Sequence, residues 1–374
     1  MSSPDLPARH TPLHEVHQAL GARLTDFAGW RMPLKYSSEL AEHQAVRTSA
    51  GLFDLSHMGE IRVRGPQAGA LLDHALVGKL SAISPGRAKY SLICDENGGI
   101  LDDLVTYRLA EDEFLVIANA SNVAVVLAAL TERAAGFEAT VTDETEQTAL
   151  IAVQGPASSS IIEALLGTDD DRAALSGLRY YGCRPARVAG LDVLLARTGY
   201  TGEDGFELYV TADDAVKLWQ ALETGVQAAG GRPAGLACRD TLRLEAGMPL
   251  YGNELSIDTD PYAAGLGRVV QLGKDFVGQD ALALAAQDQP ARVLTGLTGE
   301  GRRAARAGNV VLNSAGTPVG VITSGALSPT LGRPIALAYV DREEAGEGTA
   351  LHVDVRGTLL PFAVTPFPFY RRAR

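Results

Sequence analysis

Between Ala88 and Ala118 apolar and polar positions alternate, broken by the turns Asp95-Glu-Asn-Gly-Gly99 and Ala110-Glu-Asp-Glu113; the period of two predicts three strands of an antiparallel meander. Gly59-Glu-Ile-Arg-Val-Arg-Gly65 alternates in the same way and reads as another strand. Around these runs the period lengthens. Thr11-Pro12 is a cap followed by proline at the first helical position, predicting a helix from Pro12 to about Gly21. Ser37 and Ser38 precede a second helix, Glu39 to Arg47, with acid in its first turn and Arg47 near its end, as the macrodipole favours. Amphipathic patterns predict helices over Pro66–Val77, 121–135, 156–166, 212–229 and 236–246, with strands near 138–142 and 147–153. Helices mixed with antiparallel strands make this an α+β region. Beyond residue 290 no helical period remains. Short apolar runs starting at Val293, Asn309, Val319, Ile335 and Leu351 predict a small C-terminal β-barrel or sandwich. The chain therefore divides into a loose tail at 1–11, an α+β region at 12–285, and a β domain at 290–374.

Composition narrows the class. With 374 residues, 46% hydrophobic and 21% charged, the chain is long enough for two or three buried cores and is neither a disordered tail nor a coiled coil. Forty glycines against eighteen prolines indicate many tight turns. A net charge of −12 argues against nucleic acid as the main partner. Three widely spaced cysteines offer neither a disulfide framework nor a thiolate metal site. No secretory signal is seen, and the longest apolar run, Val123 to Leu130, is far below the ~18 residues of a membrane span. A soluble, cytoplasmic protein with no membrane partner is the expectation.

Generic catalytic templates are absent: there is no nucleophile elbow and no phosphate loop, and Gly265-Leu-Gly267 lacks the third glycine of a dinucleotide turn. His10, His14 and His17 share one helical face. With no carboxylate at metalloprotease spacing, a solvated face is expected there rather than a metal site. Dense clusters remain. Asp102 and Asp103 interrupt a predicted strand, whose alternation points one into the buried face and the other out. A buried carboxylate costs several kcal/mol unless paired or functional, so the pair is either a structural tie or a reactive group. Glu207 follows the glycine-rich loop Gly199-Tyr-Thr-Gly-Glu-Asp-Gly205, which would let backbone approach a ligand; an exposed strand position is the alternative.

The runs Asp26-Phe-Ala-Gly-Trp30, Gly51-Leu-Phe-Asp-Leu-Ser-His-Met58, Gly98-Gly-Ile-Leu-Asp-Asp103, Gly199 to Gly205 and Arg239-Asp-Thr-Leu-Arg-Leu-Glu-Ala-Gly-Met248 jointly resemble the aminomethyltransferase (T-protein) family of the glycine cleavage system, over His10 to Tyr370. The resemblance implies a three-domain cloverleaf, a folate-binding α+β fold with two interleaved α+β domains over 12–285 and a C-terminal antiparallel β-barrel. It implies transfer of an aminomethyl group from the lipoyl arm of the H-protein to tetrahydrofolate, giving 5,10-methylenetetrahydrofolate, ammonia and dihydrolipoyl H-protein. Tetrahydrofolate would be a co-substrate, and no metal is implied. Such a reaction needs positioning and stabilisation of a passing cation, tasks one carboxylate can serve. By motif, the resemblance makes Asp103 the catalytic carboxylate and Glu207 the acid that accepts two pterin hydrogen bonds. It makes Tyr90, Tyr107, Asn119, Tyr180, Tyr200 and Arg239 folate-contacting, Met58 an apolar wall, and Tyr370 a further contact.

Two alternatives stay open. One is a folate-binding module acting as a sensor or assembly factor. A related branch in iron–sulfur cluster assembly carries a reactive cysteine in a Lys-Gly-Cys-Tyr-x-Gly-Gln-Glu signature, but the corresponding Arg197-Thr-Gly-Tyr-Thr-Gly-Glu-Asp204 has none. The other is a folate-dependent demethylase; relatives of that kind are fused to a flavin oxidase domain, for which this chain has no room. Asp103 favours catalysis over binding alone.

Overall fold

The computed structural model describes residues 8–372. The fold is α+β and contains three large β units. The meander is present as Arg87–Cys94, Ile100–Ala110 and Glu113–Ala118, and the strands Gly59–Arg64 and Thr140–Asp143 complete an antiparallel five-stranded sheet. A second sheet of six strands runs in the order Cys183–Val188, Leu191–Ala196, Gly205–Thr211, Thr148–Gln154, Gly51–Asp54, Arg232–Pro233. The chain thus visits the second sheet at 51–54, builds the first, and returns at 148, so the two are interleaved.

The third unit is a closed six-stranded barrel, antiparallel throughout. Its core is apolar, with Leu297, Val311, Ile322, Val340, Val353 and Phe362 buried inside. Five strands begin near the predicted runs. The sixth, Thr358–Val364, closes the barrel and was not expected from the sequence, because Pro361 interrupts its pattern. Pro361 pairs with His352 near the strand's middle.

Local signals behave as the physics requires. The helix Glu39–Thr48 is capped by Ser38, whose hydroxyl accepts from the Ala41 N–H at 3.1 Å. The first helix is shorter than expected, His14–Ala19. Several elements were not expected from the sequence, among them the hairpin of Arg23–Phe27 and Trp30–Lys35, the helices Asp169–Gly177 and Gln279–Ala285, and the strands Cys183–Val188 and Leu191–Ala196.

Two expectations need correction. Residues 1–7 of the expected loose tail lie outside the described residues, but Arg9 forms a bridge with Trp30 and Thr11 is buried, donating to Asp54 Oδ2 at 2.7 Å. The solvated histidine face also fails at His17. This ring is fully buried, with Nε2 2.8 Å from Asp54 Oδ2 and Nδ1 2.9 Å from the Tyr36 hydroxyl. A buried imidazole needs such partners, and Asp54 supplies one from the end of the strand Gly51–Asp54.

Candidate active site

A cavity of about 1050 Å³ opens where the two sheets, the helix Leu236–Glu245 and the C-terminal segment meet. The strand Ile100–Ala110 supplies its central wall. Alternation along this strand sends Asp102 into the core, 0% exposed, and turns Asp103, Val105 and Tyr107 towards the cavity. The split expected for the two aspartates is therefore realised, with Asp103 as the cavity-facing member.

Asp103 is held from two sides. The Tyr90 hydroxyl donates to Oδ2 at 3.1 Å, and the Asn119 side-chain amide donates to Oδ1 at 2.9 Å. Tyr90 comes from the neighbouring strand Arg87–Cys94, and Asn119 from the turn that follows Glu113–Ala118. Burial opposes the ionised form and pushes the Asp103 carboxyl up to about 6, although both hydrogen bonds pull the other way. A carboxyl poised near neutrality in a cavity is a mark of a reactive group rather than of a simple ion pair. The same burial, together with Asp103, drives the Tyr90 phenol far above its ordinary value, so Tyr90 acts only as a donor.

Glu207 lies on the second sheet, in Gly205–Thr211. Its Oε2 accepts from the hydroxyls of Thr198 and, at 3.2 Å, Tyr107. Tyr107 also shares a hydrogen bond of 2.8 Å with Thr198 Oγ1 and accepts one of 3.3 Å from Tyr209. Glu207 Oε1 makes no hydrogen bond among the described residues and belongs to the cavity wall. The glycine loop before it lines the cavity at Gly199, as a ligand-approaching loop should, and it has a second purpose. A Cβ on Gly199 or Gly205 would fall 2.0 Å or 2.3 Å from the buried side chain of Gln154. Gln154 in turn donates to the Thr198 carbonyl at 3.0 Å and accepts from Thr201 at 2.9 Å. The glycines thus seat the loop on the sheet and fix Thr198 against Glu207.

Arg239 projects from the helix Leu236–Glu245, with its guanidinium carbon 4.7 Å from the centre of the Tyr200 ring. It has neither an ion-pair nor a side-chain hydrogen-bond partner among the described residues, and burial lowers its pKa. A buried cation without a carboxylate partner suits an oxygen-bearing ligand. Tyr200 is fixed by donating to the Pro249 carbonyl.

Of the ten residues expected in the site, eight line this one cavity: Met58, Tyr90, Asp103, Tyr107, Asn119, Tyr200, Glu207 and Arg239. Tyr180 and Tyr370 do not. Tyr180 is 43% exposed and packs edge-on against Tyr181, which takes the place on the wall; Tyr181 adopts a positive φ of 62° that turns it inward. Tyr370 lies beside the cavity, its ring stacked 4.0 Å from the Arg47 guanidinium.

His57 is a lining residue that motif reasoning passed over. It is buried, sits edge-on to Phe27, and burial beside Arg239 lowers it to about 4, so it is neutral. Its place in the Gly51–Glu60 run, directly before Met58, was the available signal.

Two family models match the chain: the GCVT N-terminal domain over residues 13–274 and the glycine cleavage T-protein C-terminal barrel domain over 292–371. The chain belongs to the glycine cleavage T-protein family. Curated relatives named aminomethyltransferase include one from Saccharopolyspora erythraea, 59% identical with all of both chains covered. Another, from Thermus thermophilus, is 48% identical over 96% of this chain and 99% of its own. A crystal structure of the glycine cleavage system aminomethyltransferase T from Bartonella henselae superposes with a TM-score of 0.89. It is 37% identical and covers 97% of this chain and 98% of its own. The cavity is therefore the candidate active site of an enzyme of the aminomethyltransferase type.

Proposed function

We propose that this chain transfers an aminomethyl group from the lipoyl arm of an H-protein to tetrahydrofolate, releasing ammonia. Residues 12–285 would form the folate-binding region and 290–374 the barrel domain. The observation that carries the reading is the pairing of a poised carboxylate, Asp103, with a half-engaged one, Glu207, on walls of a single cavity.

Glu207 fits the pterin. Its Oε2 is occupied by Thr198 and Tyr107, which fix the plane of the carboxylate, while Oε1 is left to accept from ligand N–H groups. Arg239 adds donors for a ligand oxygen, and the Tyr200 ring against it limits its swing. Met58, Val105, Ile117 and Leu55 give apolar surface for a flat ring.

Tetrahydrofolate supplies two nitrogens to receive the one-carbon unit; of their two protons, one leaves with ammonia and one with the lipoyl sulfur. Asp103 is suited to hold the positive charge that the carbon carries between donor and acceptor, because its negative charge is fixed by Tyr90 and Asn119 before the reaction starts. The low-dielectric cavity strengthens that interaction. The family's own chemistry requires no metal, and we assign none.

The experiment is to supply aminomethyl-loaded H-protein and tetrahydrofolate and to measure ammonia release. Release that depends on both substrates supports the reading. Efficient reaction with a free small methylamine donor, and none with the loaded carrier, would favour a demethylase instead.

A further inference from the structure

Asp102 takes no part in the cavity, yet the fold keeps its carboxyl completely out of water, and burial together with the neighbouring Asp103 pushes it up to about 7. It is 0% exposed beneath the N-terminus of the helix Val123–Arg133. Its Oδ1 accepts from the side-chain amides of Asn119 and Asn122, both at 2.8 Å, and its Oδ2 accepts from the Asn119 backbone N–H at 2.9 Å. The Asn119 amide nitrogen reaches onward to Asp103 Oδ1 at 2.9 Å. An amide nitrogen has two hydrogens, and here each carboxylate takes one, from opposite faces of the same strand.

We propose that Asp102 is a positioning residue for the transfer reaction: it clamps Asn119 through backbone and side chain so that the remaining amide hydrogen holds the Asp103 carboxylate against the cavity wall. This rests on the reading of Asp103 as the reacting carboxylate. Tying down the helix would not by itself call for a charge. Asn122 also donates to the Leu101 carbonyl at 3.2 Å, and a neutral acceptor at position 102 could complete that anchor without burying an ion. What the carboxylate adds is a second acceptor oxygen, so that one takes the side-chain amide of Asn119 and the other its backbone N–H.

The shared Asn119 gives the role a signature. Asp102 faces Asp103, Asn119 and Asn122, with Tyr251 in electrostatic reach. Asp103 faces Tyr90, Asn119 and Asp102, with Tyr181, Tyr200, Tyr251 and Glu254 further out. Burial and the neighbouring Asp103 raise Asp102 to about 7, above Asp103 at about 6, so Asp102 is largely protonated where Asp103 titrates; losing the Asn119 donor, directly or through loss of its clamp, disfavours ionisation of Asp103. Both lesions should therefore move the acid limb of the pH–rate profile upward, Asn119→Ala the further.

The test compares Asp102→Asn and Asn119→Ala with the full-length wild-type chain, using aminomethyl-loaded H-protein and tetrahydrofolate. In Asp102→Asn, kcat is expected to fall about tenfold or more while the folate Kd stays within about threefold, and the acid limb moves up by about 0.5 pH unit as the Asn119 bond to Asp103 loosens. In Asn119→Ala, kcat falls and the limb moves up further. An Asp102→Asn enzyme with near wild-type kcat overturns the proposal. So does a loss of activity that merely tracks the folded fraction by circular dichroism with the limb unmoved. If Asp102→Asn does not fold, Asn119→Ala decides alone: an upward shift supports the proposal and an unmoved limb rejects it. Full turnover in Asp103→Asn would instead sink the underlying reading of the site.

Discussion

Replacing Glu207 by Ala separates ligand recognition from folding, because the structure shows what each partner keeps. The variant loses the carboxylate oxygen that faces the cavity, and with it the acceptor for two ligand donors. A hydrogen bond to a charged group contributes about 1.5–3 kcal/mol, so with water satisfying one of the two donors the net loss is roughly tenfold to 150-fold in folate affinity. The protein side suffers less. Tyr107 and Thr198 still hydrogen-bond each other at 2.8 Å, and Tyr209 still donates to Tyr107, so no hydroxyl on that wall is orphaned. Stability should fall by only about 1 kcal/mol. Isothermal titration with tetrahydrofolate, beside a thermal melt of the ligand-free protein, reads both quantities. An unchanged dissociation constant in a folded Glu207→Ala protein would refute the assignment of Glu207 to the pterin.

Three further outcomes follow from the same cavity. Turnover should need the Asp103 carboxylate, so kcat should decline as pH falls through about 6, the value to which burial raises it. Because that folded-state pKa lies above the ordinary 3.8, the native state binds the proton more tightly and ionised Asp103 destabilises the fold above pH 6. Asp103→Asn should therefore stabilise the protein at pH 7–8, by at most about 3 kcal/mol and less for the weakened bonds from Tyr90 and Asn119, with the gain vanishing below about pH 4; an Asp103→Asn melt no higher than wild type at pH 8 would contradict this. Arg268 and Arg371 line the cavity in a chain of net charge −12, a local basic pair suited to an acidic carrier. The Michaelis constant for loaded H-protein should rise with salt while the folate constant moves much less, since exposed charges are screened over about 8 Å at physiological ionic strength; equal response of both would count against carrier docking at these arginines.

Much of this was legible in the chain because strands obey a period of two. The alternation through Ile100–Ala110 separated Asp102 from Asp103, and the meander register brought Asn119 beside them. What stayed hidden depended on partners distant in sequence. His17 looked like one of three solvated histidines until Asp54 was placed against it. The loop glycines suggested ligand approach, but not their seat on Gln154, some 45 residues earlier along the chain. Tyr180 and Tyr181 could not be told apart, since only the positive φ at Tyr181 decides which ring faces inward. Tyr370 follows the last barrel strand, where no periodicity fixes a side chain, and Arg47 rather than the cavity receives its ring.

The most direct test of the central claim is single-turnover ammonia release from aminomethyl-loaded H-protein with saturating tetrahydrofolate, run with wild-type and Asp103→Asn enzyme at pH 8, with folate binding measured on both. The account predicts release by the wild type that requires both substrates, and its collapse in Asp103→Asn with folate still bound. Undiminished release by Asp103→Asn would contradict it.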